Sequence, residues 1–111
     1  MRIFVVGNQD PYLICQSLYT LDEGEEIEEL IGSADSLCMD MIVPWAERNE
    51  IPITVVLPDS KKSTLENYLN IIKTEKPDSL LMYDLDMDIF QGLLLEAQNP
   101  LSSIINVIAK N

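Results

Sequence analysis

The chain has 111 residues, 47% of them hydrophobic, and carries 19 acidic against 7 basic side chains for a formal charge of −12. That length suits one domain, residues 1–111, with enough apolar sequence to bury a real core. The acidic balance disfavours binding to nucleic acid, whose backbone needs a basic surface, and the absence of histidine removes imidazole catalysis and histidine metal ligation.

The first ten residues, MRIFVVGNQD, lack the basic start, long apolar stretch and small-residue cleavage site of a signal peptide. No apolar run reaches the ~18–20 residues that span a bilayer. A cytoplasmic protein with no membrane partner is expected. Cys15 and Cys38 each sit in an apolar helical pattern, which reads as two reduced core thiols.

In chain order, RIFVV (residues 2–6) is a β-branched and aromatic run ended by Gly7, a first strand. In DPYLICQSLY, Asp10 caps and Pro11 takes the first helical position, with Ile14/Leu18 and Cys15/Tyr19 at four-residue spacing. EEIEELIG (25–32) has two readings. As a helix it places Ile27, Leu30, Ile31 and Ala34 on one face; as a strand it carries glutamates into a buried sheet. The alternation of the whole chain selects a short strand near Leu30 and Ile31.

ADSLCMDMIVPWAERN is helical by Leu37, Met41 and Trp45, with a kink expected where Pro44 removes a donor one turn after Asp40. IPITVVLPD (51–59) is a proline-bounded apolar run, as in a buried parallel strand. STLENYLNIIKTEK opens with a capping box, Ser63 and Glu66, and puts Leu65, Leu69 and Ile72 on one face. SLLMYDL is a strand, and DIFQGLLLEAQN a helix with Asp88 as its cap and Gln91 three residues on. SSIINVIA is a last strand. Five strands alternating with four helices give a three-layer α/β domain of Rossmann-like form, with a mostly parallel sheet.

Ligands of such sheets bind beyond the carboxyl ends of the strands. Here those ends read GNQDP, GSADS, LPDSKKS and YDLDMD. In the first two, a glycine after a strand precedes a helix N-terminus, the geometry that offers N–H groups to an anion. Neither is a GxGxxG or Walker A loop. Helix capping accounts for Asp10 and Asp88 without function. DLDMD could also hold Mg2+ through carboxylate oxygens. Ser33, Ser36 and Cys38 have no histidine or sequence-adjacent lysine to activate them as nucleophiles. Lys61 and Lys62 could bring positive charge to a phosphate, though a solvated pair is the simpler reading.

Three stretches together resemble the SLOG superfamily of Rossmann-like nucleotide-ligand domains, above all its small YspA-like members. MRIFVVGNQD is similar to the family's hhhhGsRD start, with Gly7 and Asp10 matching and Gln9 in place of arginine. IGSADS is similar to GGAxGAD, with Gly32 and Ala34 matching, Ser33 for a glycine and Ser36 for the later one. WAERNEIPITVVLPD resembles the WA pair, the gIPV turn and the strand ending in PAD. The family's aspartate falls on Asp40 only with an insertion in the motif. The resemblance covers about the first 60 residues, and the later GPxRN segment has no counterpart in SKKSTLENYL.

The resemblance implies a nucleotide-derived or nucleoside ligand, bound here by Gly7, Asn8, Asp10, Gly32, Ser33, Asp35 and Ser36, with Lys61 and Lys62 as phosphate partners. Some members cleave glycosidic bonds, which needs a carboxylate at the anomeric carbon. Asp40 is the candidate for that catalytic role. Loss of the motif arginine and of a glycine implies weakened phosphate binding. Binding without catalysis is therefore the expectation, with no required cofactor apart from the Mg2+ option. The second reading is an acidic interaction protein that binds a basic protein surface as a regulator or inhibitor, in the manner of a phage or mobile-element accessory. A homodimer suits so small a sheet under either reading.

Overall fold

The computed structural model describes residues 1–7, 16, 18 and 27–110, and all five expected strands are among them. They are β1 (Arg2–Gly7), β2 (Glu29–Ser33), β3 (Ile53–Val56), β4 (Ser79–Tyr83) and β5 (Asn106–Lys110). Every pairing is parallel, in the order β3-β2-β1-β4-β5. Three helices accompany them: α1 (Met39–Arg48), α2 (Thr64–Glu75) and α3 (Met87–Gln98). The helix expected over residues 10–19, and with it Asn8, Asp10 and Cys15, lies outside the described residues. Gln16 and Leu18 are described singly, both helical in backbone, and Leu18 is fully buried.

β1 is central because its apolar run leaves no polar side chain to face water on either side. Ile3 and Val5 point to one face with Leu30 and Leu81, where Ile42, Trp45 and Ala46 of α1 cover them together with Leu18. Phe4 and Val6 point to the other with Ile31, Leu80 and Met82, beneath Tyr68, Ile71 and Ile72 of α2 and Leu93 of α3. Phe4 meets Tyr68 edge-to-face, with ring centroids 5.8 Å apart.

The strand reading of residues 25–32 holds near its end, and the reason is positional. Of the described glutamates in this stretch only Glu29 enters the sheet, half-buried at its starting edge, where it accepts from Thr54 Oγ1 at 3.0 Å and Arg2 Nε at 3.5 Å. α1 runs continuously through Pro44, whose missing N–H leaves the Asp40 carbonyl without its helical donor. The capping box of α2 is formed, with Glu66 N–H donating to Ser63 Oγ and Ser63 N–H to Glu66 Oε1. At its other end Lys76 is left-handed, at φ 51°, and Arg2 Nη1 donates to the carbonyls of Glu75 and Lys76.

Three expectations shift. Gly32 lies inside β2 and not in the turn beyond it, because pairing with β3 continues to Ser33. α3 is capped by Asp86, so Asp88 is a first-turn acid. β5 begins at Asn106, later than SSIINVIA implies, since the carbonyl of Asp78 takes the N–H groups of both Ile105 and Asn106.

Candidate functional site at the carboxyl ends of the strands

With the order β3-β2-β1-β4-β5 the winding reverses between β1 and β4, and in such sheets the crevice outside that reversal is where ligands sit. Gly7 and Tyr83, paired in register, end the two strands there. Beyond Tyr83 the chain turns at Asp84, whose φ of 49° is left-handed, and reaches Asp86 and Asp88, all three exposed. On the other side of β1, β2 ends at Ser33 and the turn beyond it carries Asp35 and Ser36.

The hydrogen bonds of that turn are largely internal. Ser36 Oγ donates to the Gly7 carbonyl at 2.6 Å, tying the turn to the end of β1. Since that bond uses the only hydroxyl proton, the Cys38 thiol, 3.0 Å from the same oxygen, is the donor to it. Ser33 Oγ donates to Asp35 Oδ1. Ala34 N–H reaches the Val56 carbonyl, Ser36 N–H that of Ser33, and Met39 N–H that of Ser36. Gly32 serves packing here: a Cβ on it would meet Sδ of Met39, and Cε of the same side chain at 2.6 Å. What resembles a phosphate loop is a strand-to-helix turn that spends both serine hydroxyls and three of its N–H groups on the fold itself.

Neither serine is set up as a nucleophile. The Ser36 proton points at a carbonyl, and Ser33 is 1% exposed, so its hydroxyl orients Asp35 and does not meet solvent. Cys38 is fully buried, its sulfur engaged with Ser36 Oγ. Asp40 is an exposed acid in the first turn of α1, placed to favour the helix dipole. Among the described residues no three Asp, Glu or Cys side chains converge as metal ligands, so the DLDMD carboxylates do not form a Mg2+ cage.

The loop after β3 is fixed by a residue that sequence reading passed over. Asn67, on the first turns of α2, accepts from Asp59 N–H at 2.9 Å and donates to the Asp59 carbonyl at 3.1 Å. Asp59 in turn accepts from Lys61 N–H. Lys61 is exposed, and Lys62 lines a separate cleft along α2 with Lys73 and Lys76. Tyr68 was also passed over. Burial, then the Asp35 carboxylate and Cys38, push its phenol up to about 12. Its apolar spacing in the sequence marks a core residue and gives no sign of the hydroxyl.

Asp35, Asp40, Asp59, Asp84, Asp86 and Asp88 are thus all exposed in or just beyond the turns that follow β2, β3 and β4. Lys61 and Lys62 follow β3, and Lys110 ends β5 in register with Tyr83. No family model matches the chain, and neither a curated protein nor a solved structure is significantly similar to it. No helix among the described residues is long and apolar enough to cross a membrane.

Proposed function

We propose that this chain is a cytoplasmic, SLOG-like binding module that takes a nucleoside or nucleotide-derived ligand at the β1/β4 crevice without catalysing its turnover. The observation that carries this reading is the strand order, which reverses between Gly7 and Tyr83 beside the polar turns at Asp35 and Asp84. Carboxylates at those positions suit hydroxyls of a ribose or the amino edge of a base. They do not suit a bare polyphosphate, and the Ser33 and Ser36 hydroxyls are spent internally.

A thermal-shift screen against nucleosides, mono- and dinucleotides, ADP-ribose and cyclic nucleotides, with and without Mg2+, tests the reading. A ligand at about 100 times its Kd adds roughly 2.7 kcal/mol, on the order of 10 °C here. Asp35→Asn and Asp84→Asn should abolish the shift without lowering the unliganded Tm, asparagine being tolerated in the left-handed region. A flat screen on a cooperatively melting protein defeats the reading.

A second reading is favoured by one observation, the exposed carboxylates gathered around the ends of β2, β3 and β4. They suit a basic protein surface, and the resulting complex would weaken steeply with salt.

A further inference from the structure

A cleft of about 770 Å3 opens between the outer side of α2 and the segment that leads from α3 to β5. Its position is distinct from the strand ends. Lys62, Lys73 and Lys76 line it, three of the five lysines in a chain of charge −12. Yet among the described residues none of the three forms an ion pair, although Glu66 and Glu96 line the same cleft. Glu66 is held by Ser63 in the capping box. The ammonium groups are therefore available to a third party.

The walls are built in advance of any occupant. Arg2 fixes the end of α2, and with it Lys76, through the carbonyls of Glu75 and Lys76. The facing segment is pinned by Ser103 Oγ donating to the Pro77 carbonyl at 2.7 Å and by Ile105 N–H donating to Asp78. Asn99 shapes its turn, accepting from Leu101 N–H at its side chain and Ser102 N–H at its carbonyl. Leu69 and Ile72 supply apolar floor, while Leu101 stands 93% exposed beside them. Size, apolar floor and a few convergent polar groups are the ordinary attributes of a small-molecule site.

We propose that this cleft binds a small organic anion, one with an apolar, ring-sized body and a phosphate, sulfonate or carboxylate group held by Lys73 and Lys76. The lysines would supply charge-assisted hydrogen bonds to the anion, and Leu69, Ile72 and Leu101 would cover its body. The proposal is independent of the ligand proposed for the strand ends.

The probe is 8-anilinonaphthalene-1-sulfonate, which combines an aromatic body with one anionic group. It is titrated into 15N-labelled protein, with fluorescence and amide shifts read together. The expected result is saturable binding with shifts confined to residues 62–76 and 96–103. Lys73→Gln combined with Lys76→Gln should weaken it about tenfold or more, the loss of one charge-assisted hydrogen bond. Arg48→Glu makes the same change in net charge at the end of α1, on the other face of the sheet, and should leave affinity unaltered. Shifts centred on Gly7, Asp35 and Asp84, equal losses in both variants, or no saturable binding would each overturn the proposal. The amide spectrum of each variant shows that it is folded.

Discussion

Ser36 spends its one hydroxyl proton on the carbonyl of Gly7 in a position that is 5% exposed. Replacing it by alanine leaves a strand-end carbonyl short of that donor and removes the acceptor of the Cys38 thiol. A loss of about 1–3 kcal/mol in denaturant unfolding is expected for Ser36→Ala. Gly32 gives a prediction with an internal control. A Cβ there meets only the flexible end of the Met39 side chain, which can turn aside, so Gly32→Ala should cost no more than about 1 kcal/mol, and less still in a Met39→Ala background. Equal costs in both backgrounds would place the strain elsewhere. The folded phenol of Tyr68 stays neutral to about pH 12, whereas an unfolded tyrosine ionises near 10. The unfolded state then sheds a proton that the fold retains. The contribution is whole below pH 10 and is lost as pH rises toward 12. Wild-type Tm should fall more steeply than that of Tyr68→Phe across this window, and a phenolate that appears near pH 12 in absorbance should be missing from the variant. None of these three roles was legible in the sequence. Ser36 and Gly32 read there as ligand groups, because a string of residues does not say which hydroxyl or which missing Cβ the fold itself consumes.

At the scale of elements, α2 and α3 meet through Gly92 and Leu65. An added Cβ on Gly92 would lie 2.6 and 2.8 Å from the two methyl carbons of Leu65 and 3.3 Å from its Cγ. Two effects compete. Alanine is better than glycine inside a helix by about 1 kcal/mol, while overpacking costs about 1–3 kcal/mol. Contact with Cγ as well as with the methyls means that turning the leucine rotamer does not clear the space, so Gly92→Ala should be net destabilising. With Leu65→Ala in place only the propensity remains, and the same substitution should become stabilising; unchanged sign would refute the contact. Element boundaries were legible where local chemistry decides them, as with Ser63 and Glu66. They were illegible where tertiary packing decides. DLDMD offers three aspartates at alternate positions, each a fair cap. Leu85, buried with the α2/α3 cluster, anchors the chain just before Asp86, and the Phe90 N–H closes the first turn on Asp86. Asp86 makes no side-chain capping bond, so cap propensity could not have chosen it.

For the molecule as a whole, alternation of apolar strands with amphipathic helices was enough to read a parallel α/β sheet. The lysine cleft was not readable, since it joins α2 to residues 96–103 only through the tertiary fold. Charge, by contrast, is legible in full and has a consequence for stability. The described fold has a radius of gyration of 12.7 Å. At about 0.01 M salt the Debye length is roughly 30 Å, and at about 0.1 M roughly 10 Å. In the dilute case the molecule lies within one screening length and its excess carboxylates repel one another throughout. The unfolded chain spreads the same charge more widely and suffers less. Only Met1–Glu28 and Arg2–Glu29 oppose this as ion pairs among the described residues, and screening them loses little. Tm should therefore rise by several degrees as NaCl goes from about 0.01 to 0.1 M, and flatten above that. A fall over this range would mean that attraction between unlike charges dominates. Docking of a basic protein on the acidic ends of the strands would respond with the opposite sign, its affinity dropping as the fold gains stability. Measuring Tm and the binding of a polylysine probe on the same samples separates the two responses. Coincident rises in both would rule out charge as the basis of partner recognition.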